Sequence, residues 1–73
     1  MNETTSQSAD RAILAYDSYI FSSVGRSFSA DKADLLAANA AIACEVAARD
    51  RRVNQFTRNF YRARAVEFIG IAS

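Results

Sequence analysis

Apolar positions in this chain recur every three or four residues almost throughout, and the pattern predicts helices and no strands. Ala9, Ala12, Ile13, Tyr16, Tyr19, Ile20 and Val24 share one side of a helix over residues 9–24, while Leu14 and Phe21 lie on another. Arg11, Ser18 and Ser22 are left to face water. A helix with two apolar stripes has more apolar surface than one neighbour covers.

A second helix, over residues 30–49, reads as apolar nearly all round. Leu35, Ile42 and Val46 form one flank and Leu36, Ala43 and Ala47 a second. Ala33, Ala37, Ala40, Cys44 and Ala48 form a third, of small residues that allow a neighbouring helix to come close. Such a helix is expected to be central and buried. Asp31, Asp34, Glu45 and Arg49 mark its narrow wet edge, with Glu45 and Arg49 spaced for an (i, i+4) pair.

The punctuation is sparse. The chain has no proline and two glycines, Gly25 and Gly70. Ser8-Ala9-Asp10 and Ser29-Ala30-Asp31 each read as a helix start, a capping serine followed by an acid that suits the positive end of the dipole. They read as two independent caps rather than an internal duplication. Gly25 is read as the end of the first helix, and Arg26 to Phe28 as the connection. Residues 22–27 match a phosphate-cradling turn only faintly, lacking a second glycine and a following lysine.

Between Ala30 and Ile69 the only plausible corner is the polar cluster Arg49 to Arg52, with Asp50 as a weak cap. The expected fold is therefore all-α, a small three-helix domain with helices over 9–24, 30–49 and 51–69. The alternative is a helical hairpin whose second helix runs on to Ile69. Residues 1–7 read as a frayed polar terminus and 8–73 as a single helical domain.

Charge sharpens the picture. A net +1 conceals six arginines and one acid in residues 49–64, against three bases and six acids before them. From Arg51 onward, Arg51, Gln55, Arg58 and Arg62 form one stripe, widened by Arg52 and Asn59. Val53, Phe56, Thr57, Phe60, Tyr61 and Phe68 lie opposite and are expected to anchor the helix. Planar guanidinium forks suit phosphates and carboxylates, so the stripe is the candidate binding surface for a partner or a nucleic acid. Arg64 falls on the apolar side with Glu67 three residues on, and an ion pair at the core edge is expected there. Part of the arginine excess, eight against one lysine beside fifteen alanines, fits codon composition.

Leu14, Phe21, Phe68, Ile69 and Ile71 are candidates for apolar docking, the last three from a C-terminal stretch that is apolar on all sides. A 73-residue chain buries about 60% of its unfolded surface, which leaves a lone core marginal. Cys44 is the sole cysteine and histidine is absent, so neither a disulfide nor a zinc site is expected to compensate. Association with itself or with a larger partner is the remaining remedy.

No catalytic residue, metal ligand or cofactor motif is recognisable. Cys44 among alanines reads as a small core residue, and the carboxylate pairs Asp31/Asp34 and Asp10/Asp17 read as capping and solvated groups. There is no run of apolar residues to span a membrane and no basic start followed by an apolar stretch, so a cytoplasmic protein is expected. The function these features imply is a non-enzymatic regulator or adaptor docking on a larger protein or nucleoprotein complex with acidic or phosphate surface. The most specific form of that expectation is a phage- or plasmid-type regulator of host RNA polymerase. The alternative is a dimeric, sequence-neutral DNA- or RNA-binding protein.

Overall fold

A computed structural model describes residues 3–22 and 28–72. Three helices fill them: α1 (Thr5–Ser22), α2 (Ala30–Arg49) and α3 (Gln55–Ala72). The domain is all-α, and the hairpin with one long second helix is ruled out by a break at residues 50–54. The predicted end of the first helix at Val24 and Gly25 lies outside the described residues.

The helix starts follow side-chain caps. Thr4 and Gln7 form a capping box, in which the Gln7 amide donates to Thr4 Oγ1 at 3.1 Å and the Thr4 amide donates to Gln7 Oε1 at 2.9 Å. Helix α1 therefore begins inside the stretch expected to fray. Ser8, the expected cap, sits within it and donates to Glu3 Oε1 at 2.7 Å. At α2 the expected cap holds: Ser29 Oγ accepts from the Lys32 amide at 3.2 Å. Helix α3 starts four residues later than the spacing predicts, because Asn54 caps it rather than Asp50 and accepts from the Thr57 amide at 2.9 Å.

Helix α2 packs on both neighbours, whereas α1 and α3 meet sparingly. The core lies on the small-residue flank. Ala37, Ala40, Cys44 and Ala47 are fully buried, joined by Ala9 from α1 and by Tyr61, Ala65 and Phe68 from α3. Small side chains let the helix axes approach closely, and Phe68 and Tyr61 fill the space where α1, α2 and α3 converge. Phe68 meets the Tyr16 ring edge-on at 5.3 Å. Tyr61 sends its hydroxyl to Asp10 Oδ1 at 2.6 Å, with the Ser6 carbonyl at 3.3 Å, and so ties α3 to α1.

The expectation that α2 is buried all round is overturned. Leu35, Ile42 and Val46 are 63%, 62% and 51% exposed, because α1 and α3 both sit on the opposite half of the helix and no described residue covers its back. Phe56 and Phe60, expected to anchor α3, are likewise exposed at 85% and 52%. Tyr61 and Phe68 anchor that helix instead. The molecule measures 40 × 29 × 16 Å, a layer little thicker than one helix with its side chains.

Candidate functional site

The corner between α2 and α3 is organised by Asp50. Its backbone caps α2, with the amide donating to the Ala47 carbonyl at 3.3 Å. Its carboxylate accepts from the Arg52 Nε, Nη2 and amide at 3.0–3.1 Å and from Thr5 Oγ1 at 2.6 Å. The Arg52 side chain first, and Thr5 next, hold this carboxyl well below the usual carboxylate range. The first turns of α1 and α3 converge here on a hollow of about 330 Å³ lined by Thr5, Asn54, Thr57, Val53 and Arg52. The Asp50 carboxylate, bound to Thr5 Oγ1, places a negative charge beside the positive end of α1.

Arg52 is thus neutralised, and with Arg51 it belongs to the corner rather than to the helix, since α3 begins only at Gln55. This corrects the predicted stripe at its N-terminal end. Beyond the corner, the half-buried Arg58 and the exposed Gln55, Asn59 and Arg62 lie along one edge of α3. Arg58 Nη2 donates to Gln55 Oε1 at 3.0 Å, Gln55 Nε2 donates to Asn59 Oδ1 at 3.4 Å, and Arg62 Nη1 donates to the same Asn59 oxygen at 3.0 Å. Two amides thereby hold two guanidinium groups along one edge of α3. Amide oxygens orient a guanidinium without cancelling its charge. Among the described residues no carboxylate lies within ion-pair distance of Arg58 or Arg62, and Arg58 Nε is buried with no acceptor.

Arg64, Arg49 and Arg11 are paired elsewhere. Arg64 pairs with Glu67 at 2.6 Å and lies over the Phe68 ring at 4.8 Å, at the core edge as its spacing predicts. Arg49 makes a loose 3.7 Å contact with Glu45, and Arg11 pairs with Glu3. The four stripe residues brought together are Gln55, Arg58, Asn59 and Arg62.

Of the apolar docking candidates, Leu14, Phe21, Ile69 and Ile71 are exposed. Phe68 is not available: it is among the largest fully buried side chains, because the core needs an aromatic where α1 and α3 approach. Sequence reasoning missed Thr5, Asp10 and Asn54 as positioning residues. The signals present were the Thr4-to-Gln7 and Asn54-to-Thr57 capping spacings. The Cys44 thiol is buried, and burial pushes its pKa up, away from the reactive thiolate. Among the described residues no three His, Cys, Asp or Glu side chains cluster to hold a metal ion, and no helix is long and apolar enough to cross a membrane. Compared with family models, curated proteins and solved structures, the chain matches none.

Proposed function

We propose that this chain is a non-enzymatic docking protein that sets the Arg58–Arg62 edge of α3 against an acidic or phosphate-bearing surface of a larger assembly. The observation that carries this is the Gln55–Asn59 amide ladder, which aligns two uncompensated guanidinium groups 3.0 Å from their supporting oxygens. Side chains ordered before contact lose less rotamer freedom on binding, so the edge is prepared for planar, bidentate acceptors. The assembly we name is a transcription complex such as RNA polymerase. What supports it is chemical: protein and nucleic acid lie side by side there, and the chain offers apolar side chains beside an arginine edge.

Affinity capture from a bacterial lysate tests this, with wild type compared against Arg58→Glu/Arg62→Glu at equal helicity. Enrichment of one large complex by wild type, lost in the double variant, is the expected result. Equal enrichment by both proteins removes the arginine edge from the mechanism. Gel retardation of random duplex and single strands at low salt separates the alternative reading. A retarded complex that weakens steeply as salt rises transfers the role to direct nucleic-acid binding.

A further inference from the structure

We infer that the bare back of α2 is the seam of a homodimer, in which α2 packs antiparallel on α2 of a second copy. Asp31, Leu35, Ala38, Ile42, Glu45 and Arg49 follow one another at alternating steps of four and three. That is the spacing of a coiled-coil seam. No described residue covers Leu35 and Ile42 at its middle, which are more than half exposed, and Ala38 between them is half-buried.

The strip is complementary to its own reverse. It carries Asp31 at one end and, at the other, Arg49, whose side chain is 80% exposed and holds Glu45 only loosely at 3.7 Å. An antiparallel register that sets Asp31 against Arg49 of the second copy also sets Ala38 against Ile42 and Leu35 against Glu45. Each of these matches occurs twice about the two-fold axis. Ile42 then meets Ala38 and Asp31 meets Arg49, while Leu35 lies against the aliphatic stem of Glu45. A parallel pairing would set Arg49 against Arg49 and Asp31 against Asp31. Beside the seam, Ala38, Ala41 and Ile42 with Ile69 and Ala72 of α3 line an apolar groove of about 340 Å³, open to the incoming helix.

Area points the same way. The chain presents 5219 Å² to solvent, where a folded monomer of 8.0 kDa is expected to present about 4,450 Å². The surplus of roughly 770 Å² is close to the ~800 Å² that each partner contributes to a stable interface of standard size. A core made largely of alanines in so short a chain gives independent reason for association.

Sedimentation equilibrium from micromolar to submillimolar protein tests the inference, with circular dichroism confirming that each variant is helical. Wild type is expected at about twice the 8.0 kDa chain mass, and Ile42→Glu at the chain mass with its helices kept, since that side chain touches solvent in the monomer. Should Ile42→Glu lose helicity, the milder Ile42→Ser makes the same measurement. Asp31→Arg and Arg49→Asp singly should each weaken dimerisation at least about tenfold, roughly 1.4 kcal/mol. Combined in one chain, the two reversals should restore it to within about threefold of wild type. A wild type that stays monomeric throughout overturns the inference, as does a double reversal no tighter than the single ones. Dissociation by Leu14→Glu, on the far side of the molecule, overturns it too by placing the contact on α1. Mass alone is read here, so the result stands or falls apart from the lysate capture that tests the arginine edge.

Discussion

Replacing Tyr61 with phenylalanine removes one oxygen from a ring that is 3% exposed and leaves the ring's packing in place. That oxygen is a main polar tie between α1 and α3, donating to Asp10 Oδ1 at 2.6 Å. A hydrogen bond to a charged acceptor contributes about 1.5–3 kcal/mol, and because Asp10 is exposed and regains water when the bond is lost, the net loss is discounted to about 1–2 kcal/mol. At roughly 2.1 cal/mol/K of unfolding entropy per residue, 73 residues convert this to a Tm lower by about 7–13 °C. Thermal unfolding followed by circular dichroism at fixed protein concentration measures it, the concentration being held because self-association shifts Tm by mass action. Asp10→Ala and the double variant complete a cycle whose coupling should be about 1 kcal/mol. A Tm unchanged within a degree or two, or a coupling of zero, would refute the role given to this bond. The same environment pushes the Tyr61 hydroxyl up to about 12, chiefly through burial and next through the bond to Asp10. A pKa raised in the folded state stabilises fully below the unfolded value near 10 and loses that contribution as pH rises towards 12. Wild type should therefore lose its advantage over Tyr61→Phe across that interval.

The carboxyl of Asp50 has its pKa lowered by Arg52 and Thr5, so its contribution is present above the ordinary carboxylate value near 4 and is lost as pH falls below it. Asp50→Asn should lower Tm at neutral pH and flatten the acid limb of the stability profile; a limb as steep as that of wild type would show that other carboxylates govern it. At the α1–α2–α3 contact, Ala37→Leu should cost about 1–3 kcal/mol by overpacking a fully buried position, read as a lower midpoint in urea. A neutral result there would mean that the helices stand further apart than the alanine flank implies.

How much of this could be read from the sequence divides along a physical line. Helix α2 was legible at both ends, because Ser29 caps it through a local contact and the charged corner after Arg49 follows immediately. The Arg64–Glu67 pair and the buried Cys44 were legible for the same reason: spacing along one helix decides them. The starts of α1 and α3 were not, since Ser8-Ala9-Asp10 and Asp50 offered competing caps, and only the folded chain shows Thr4 and Asn54 taking that role. Nor could periodicity choose among the three apolar flanks of α2. It shows which residues share a side, and the choice depends on how closely neighbouring axes can come. The alanine flank won because two helices can crowd against it at once, at the expense of leaving Leu35, Ile42 and Val46 outside. The sequence reading took all three apolar flanks of α2 to be covered. That assumption holds for a chain that buries everything it can by itself, and this chain does not: its aliphatic strip is ordered at seam spacing, charged oppositely at its ends and uncovered. Leu35 and Ile42, left outside at seam spacing with Ala38 between them and Asp31 and Arg49 beyond, are the mismatch between prediction and structure on which the proposed second copy rests.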